Sequence, residues 1–188
     1  MFCRKEEITA IPSAYIPADD LDMIRRRLDK ESRALVDILR LSGYRVDDLM
    51  YSREYQWYMR DGTVTLYERK TKQQRTVPAT PELREAVERY KSVRWITRHP
   101  QPLTFFVQGK RDIERDLHKR HRSTLYRHFA EAVRQAGLAG KGYTLHSLRK
   151  CYAVDRYNES GLLSVQKDLG HKSISTTCLY VFGSRADM

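Results

Sequence analysis

The sequence predicts a mainly α-helical domain carrying one small three-stranded antiparallel sheet. Apolar residues recur at three- and four-residue spacing on both sides of the chain's middle, as one face of a helix requires. Between about Tyr51 and Val77 that pattern gives way to short alternating runs rich in Tyr, Trp, Thr and Val. The length of 188 residues suits one well-cored domain and falls short of two of ordinary size.

Pro12 and Pro17 punctuate an extended leader, after which Asp19 and Asp20 open a helix with an acidic first turn. Leu21, Ile24 and Leu28 give that helix its apolar stripe. A second helix reads from about Ser32 to Leu41, with Leu35, Ile38 and Leu39 inward and Gly43 placed to cap its end. Asp61-Gly62, between two alternating runs, signals a hairpin. A third strand, Gln74 to Val77, stops at Pro78. From Pro81 onward the pattern is helical, over about 81–93, 112–118, 122–136, 146–158 and 162–169, with a short helix near Tyr180.

Hydrophobic content of 40% and charged content of 31% read as a soluble globular chain. The sequence has no run of about 18 apolar residues that would cross a membrane, and acids interrupt its N-terminal segment, so a cytoplasmic setting is expected. Three scattered cysteines, Cys3, Cys151 and Cys178, argue against a disulfide framework. A mixed zinc set from His146, Cys151, His171 and Cys178 is conceivable, but cysteines in apolar helices usually belong to the core.

The net charge of +11 is uneven. Residues 1–50 hold nine Lys/Arg against ten Asp/Glu, 51–109 eleven against six, 110–150 eleven against four, and 151–188 four against four. The excess falls in the middle of the chain, an electrostatic footprint for a polyanion such as DNA or RNA. Its bland counterpart is a solvated basic face.

The last quarter carries the chemistry. His146 and Arg149 stand three residues apart on one helical face, behind Tyr143-Thr144, which suits a helix start. His171 follows Gly170 at a turn between helices, and Tyr180 comes nine residues later. A single straight helix would put His171 and Tyr180 on opposite faces, so a break near Ser173 is required. A guanidinium to hold phosphate, imidazoles to move protons and a phenol to attack make a set suited to phosphodiester chemistry without a metal. Taken singly, His146 and Arg149 read as a surface pair and Tyr180 as a core aromatic.

Together, TLHSLRKCYAVDRY and LLSVQKDLGHKSISTTCLY resemble the C-terminal part of the tyrosine recombinases, the phage-integrase family, whose motif runs HxLR, then LGH, then the nucleophilic Tyr at this spacing. The resemblance covers about residues 15–182 and implies a single catalytic domain over 1–188. It implies an earlier arginine, which LSGYRVDDL supplies as Arg45, with Asp48 on the acidic position that orients it. It also implies a lysine on a strand-joining turn; ERKTKQQRTVP offers Lys70, closer to the family's distance from Pro78 than Lys72. Lys150 stands where many members have His.

By the same resemblance, Arg45 and Arg149 clamp the phosphate, Tyr180 attacks to leave a 3′-phosphotyrosine, and His146 takes the phenol proton. Lys70 then protonates the leaving 5′-oxygen, and His171 positions Tyr180 and bonds the phosphate. No metal or cofactor is called for. Lys110, Arg111, Lys119, Arg120, Arg122 and Arg127 would line the DNA backbone, with Tyr126 against sugar. The expected partner is double-stranded DNA, held by a tetramer, with accessory DNA-bending proteins possible, in a prokaryotic cell, phage or mobile element. The family's N-terminal DNA-binding domain has no counterpart here, and eight residues follow Tyr180, so a monomer is expected in free solution. Competing readings are relaxation of DNA in the manner of a type IB topoisomerase, a DNA-binding regulator with reduced catalysis, and, more weakly, a metal nuclease.

Overall fold

The computed structural model describes residues 13–52, 54–59, 61–97 and 111–183, with the backbone alone at 54, 94–97 and 111–121. Helix α1 (Ala18–Arg25) follows Pro17, and its acidic first turn, Asp19 and Asp20, meets the positive end of the helix. Helix α2 (Lys30–Ser42) is capped by Asp29, whose carboxylate accepts from the Ser32 amide at 2.9 Å. At its other end Gly43 takes a left-handed conformation, φ 61°. Only glycine fits: a Cβ there would lie 2.4 Å from Cδ1 of Tyr152. Helix α3 (Val46–Met50) begins directly afterwards, with Arg45 as its N-cap residue.

Strands β1 (Thr63–Glu68) and β2 (Gln73–Pro78) pair antiparallel, with Leu66 opposite Arg75 and Glu68 opposite Gln73. Among the described residues the sheet has two strands rather than three. The run before Asp61-Gly62 coils into a 3₁₀ turn, Glu54–Trp57, because coiling buries Trp57. Its indole donates to Ser52 Oγ at 2.9 Å and meets the Tyr44 ring edge-on at 6.2 Å. Tertiary burial of one large ring overrides local alternation. The hairpin turn therefore lies at 69–72, and Asp61 instead accepts from the Thr63 amide at the start of β1.

Helix α4 (Pro81–Thr97) packs along α2. The two helices expected at 112–118 and 122–136 are one, α5 (Arg111–Gln135), since the span holds no Gly or Pro to break it. Likewise α6 (Leu145–Leu169) runs through both expected segments but bends at Gly161, where φ 78° and ψ 175° are not helical. Gly170 caps α6, and α7 (Ile174–Phe182) starts at Ser173, which supplies the break that the His171–Tyr180 spacing requires. Helix α2 is the hub, touching α4, α5 and α6. Val36, Ile38, Leu83, Val87 and Leu148 are fully enclosed there. Among the described residues no helix is long and apolar enough to cross a membrane.

Candidate active site

The start of α6 is fixed by a reciprocal cap. Thr144 accepts from the His146 amide at 3.2 Å, while its own amide donates to Ser147 Oγ at 3.1 Å. One turn then carries His146 at the surface and Arg149 into the interior, where it is 2% exposed. Arg149 Nη1 donates to Gly43 O at 2.8 Å and Nη2 to Leu169 O at 2.8 Å. Two helix ends, those of α2 and α6, thus hold one guanidinium by their last carbonyls.

Glu68, at the end of β1, joins three arginines. Its Oε1 lies 3.3 Å from Arg149 Nη1 and 3.2 Å from Arg75 Nε, and its Oε2 lies 2.7 Å from Arg45 Nη1. Burial alone would raise the Glu68 carboxyl, but the charges of Arg149, Arg45 and Arg75 hold it below the usual range. Burial and the neighbouring Arg75 and Arg45 push Arg149 down to about 10, still charged at neutral pH. Arg75 stacks over the Tyr44 ring at 3.8 Å and donates to Ser42 O at 3.2 Å and to Asp168 O. Asp48 faces Arg45 at 3.8 Å, yet the hydrogen bond it accepts comes from the Arg69 amide at 2.9 Å. The carboxylate nearest Arg45 is therefore Glu68 rather than Asp48.

Tyr180, on α7, is bracketed by two imidazoles. Its hydroxyl hydrogen-bonds His146 Nε2, and its ring meets those of His146 and His171 edge-on at 5.6 and 5.4 Å. Burial raises the Tyr180 phenol while the charges of Arg149 and Arg45 pull it back. Although His146 keeps an exposed face, desolvation of its ring lowers it, and Arg149, Arg45 and Lys70 lower it further, which favours the neutral form that can accept a proton. The same two causes, burial and then Arg149 and Arg45, push His171 down to about 4. His171 Nδ1 is engaged by Thr177 Oγ1 at 3.1 Å. A neutral base, a protonated phenol and fixed cations in one place can take a proton from the phenol and hold a phosphate beside it.

Six of the residues expected from sequence are thereby gathered. Arg45, His146, Arg149, His171 and Tyr180 share this space, and Lys70 rides the exposed 69–72 turn near enough to act on His146. Lys72 occupies the same turn in a left-handed conformation, φ 56°. Lys110 lies outside the described residues; Arg111, Lys119 and Arg120 fall on the α5 backbone. Arg122 and Arg127 are exposed on α5, with Arg122 paired to Asp47 on α3 at 3.0 Å. Tyr126 is 45% exposed beside that pair. The four residues of the mixed zinc set do not form one site: Cys151 is in the core, its Sγ accepting from the Ile16 amide at 3.4 Å.

Glu68, Arg75 and Thr177 escaped the sequence reading. For the first two a signal existed. Val64, Leu66 and Glu68 alternate onto one strand face, as do Arg75 and Val77. A carboxylate and a guanidinium on the core faces of paired strands announce a buried ion pair.

The sequence model of the phage integrase family matches residues 14–185. The tyrosine recombinase XerC of Chlamydia caviae is 27% identical over 159 residues, covering 79% of this chain and 46% of its own length. The tyrosine recombinase XerD of Lacticaseibacillus casei is 29% identical over 157 residues, covering 81% and 50%. The chain thus spans about half the length of these curated relatives. A lambda integrase dimer bound to a COC′ core site matches with a TM-score of 0.72 at 20% identity, over 96% of this chain and 51% of that one. The catalytic domain of bacteriophage HP1 integrase matches at 0.60 and 21%, over 89% and 86%. At these identities the structural likeness establishes the fold.

Proposed function

The chain belongs to the phage integrase family, and from that premise we propose that it cuts and rejoins double-stranded DNA through a covalent bond to Tyr180, as a site-specific recombinase. One observation carries the reading: the Tyr180 hydroxyl is hydrogen-bonded to the imidazole of His146, beside the buried guanidinium of Arg149. A phenol raised by burial is inert until a base takes its proton.

In this reading a backbone phosphate enters between Tyr180 and the arginines. The phenol proton passes to His146 Nε2 as the phenolic oxygen bonds phosphorus and the bond to the 5′-oxygen breaks. Lys70, on its exposed turn, gives the leaving oxygen a proton. The extra negative charge of the transition state falls on non-bridging oxygens facing Arg45 and Arg149. Such fixed donors are worth about 10²–10³ in rate each. In the tautomer whose Nδ1 accepts from Thr177 Oγ1, His171 Nε2 carries the hydrogen and would donate it to phosphate. A 5′-hydroxyl from a second strand reverses the step, with no outside energy, since the phosphotyrosine conserves the bond. On DNA the subunits would act as a tetramer, with Arg122 and Arg127 on α5 gripping the backbone.

The test is covalent capture on supercoiled plasmid, quenched with detergent, for wild type and Tyr180→Phe. Protein-linked nicked or relaxed DNA from wild type alone is expected; equal capture by the variant would overturn the assignment. Joining of strands between two duplexes distinguishes recombination from simple relaxation. Because His146 is lowered from 6.5, cleavage should stay flat across neutral pH and fall only below its ordinary midpoint.

A further inference from the structure

The same carboxylate that neutralises the arginines also grips the turn bearing Lys70. Thr71 Oγ1, on that turn, donates to Glu68 Oε2 at 3.1 Å, the oxygen that also faces Arg45. On the other side the Arg69 amide donates to Asp48, three residues beyond Arg45. The turn and the arginine are thus tied by two buried carboxylates, of which Glu68 alone also reaches Arg149 and Arg75.

Charge counting gives the arrangement its meaning. Arg45, Arg75 and Arg149 bring three positive charges and Glu68 and Asp48 two negative, leaving one positive charge for one phosphodiester. Three guanidiniums this close repel one another, and without the central carboxylate the least enclosed of them, Arg45, would swing outward. We propose that Glu68 is a positioning residue, holding Arg45, Arg149 and the Lys70 turn in one arrangement before any phosphate arrives.

Resting as it does on the reading above, the inference is tested in two parts. In the free protein, guanidinium nitrogen–proton signals of Arg75 and Arg149 should exchange slowly with solvent and be shifted and accelerated by Glu68→Gln. Signals unchanged in the variant would overturn the proposal whether or not the protein cuts DNA. On supercoiled plasmid, Glu68→Gln should slow covalent capture at saturating DNA by about 10- to 100-fold, the range for residues that orient others. Affinity for a fluorescent random-sequence duplex should hold within about threefold, since a neutral Gln leaves the cluster more positive. A capture rate equal to wild type, or a loss confined to affinity, would refute it. If wild type captures nothing, the recombinase reading fails while the guanidinium signals still decide the role of Glu68. Should Glu68→Gln not fold, Thr71→Val removes only the hydroxyl bond. About fivefold slower capture is then expected, from one lost hydrogen bond, and an unchanged rate overturns the proposal.

Discussion

The two halves of the site are built in opposite ways. The arginine half is interior: Arg149, Arg75 and Glu68 are enclosed, and every guanidinium there is tied to a carbonyl or carboxylate. The tyrosine half is peripheral, with His146 exposed, Tyr180 half-buried and α7 a nine-residue helix resting on α6. On the proposed reading, phosphate binding would be organised by the same contacts that hold the core, while the attacking hydroxyl would come from one light helix, α7. Stabilising a charge needs donors that do not move; delivering an attacking atom needs little beyond a helix and a hydrogen bond.

The strongest way to break that contrast is Arg149→Lys. It keeps a charge but loses the fork that reaches Gly43 O and Leu169 O. Capture on plasmid should fall about 10²–10³-fold, and melting should show stability lost as well, because two buried carbonyls lose their donor. Tyr180→Phe, by comparison, should abolish capture and leave the melting curve near wild type. Equal melting of the two variants would dissolve the distinction between an interior and a peripheral half.

Next in size is Gly43→Ala, which touches no reacting group. A left-handed backbone angle and a Cβ 2.4 Å from a Tyr152 ring carbon together should cost about 2–4 kcal/mol. Tyr152 cannot retreat freely, since its hydroxyl is bonded to Asp168 at 2.9 Å. Because Gly43 O holds Arg149, denaturant unfolding and plasmid capture should suffer together.

The smallest effect concerns acid. His171 has a folded pKa of about 4 against an ordinary 6.5. Between those values the unfolded chain takes up the proton and the folded one does not, so stability falls as pH drops through that window. Thermal melts of His171→Gln at pH 7 and pH 5 should therefore differ by less than those of wild type. A difference as large as in wild type would place the acid sensitivity elsewhere.

The peripheral half was the legible one. His146 and Tyr180 belong to helices, and His171 to the turn between them, and the caps Thr144, Gly170 and Ser173 that set these boundaries are written locally in the chain. Arg149 was legible as a charge on a helix face, but not its burial, since Gly43 and Leu169 reach it only through the fold. Asp48 was expected to orient Arg45, yet Glu68, twenty-three residues from Arg45 along the chain, comes nearer. The strand predicted before Asp61 failed because alternation cannot announce that Trp57 will turn inward to meet Tyr44 and Ser52.

The bend at Gly161 has a consequence for chain length. Along a straight helix, twenty residues would carry Leu169 about 30 Å from Arg149, yet they are joined by a 2.8 Å hydrogen bond. The interval from arginine to carbonyl is a closed ring, and its circumference is set in whole residues. One residue added between Tyr152 and Gly161 would turn the following segment by about 100° and aim the carbonyl of Leu169 elsewhere. Many side chains on the outer face of this ring can be exchanged; its number of links cannot.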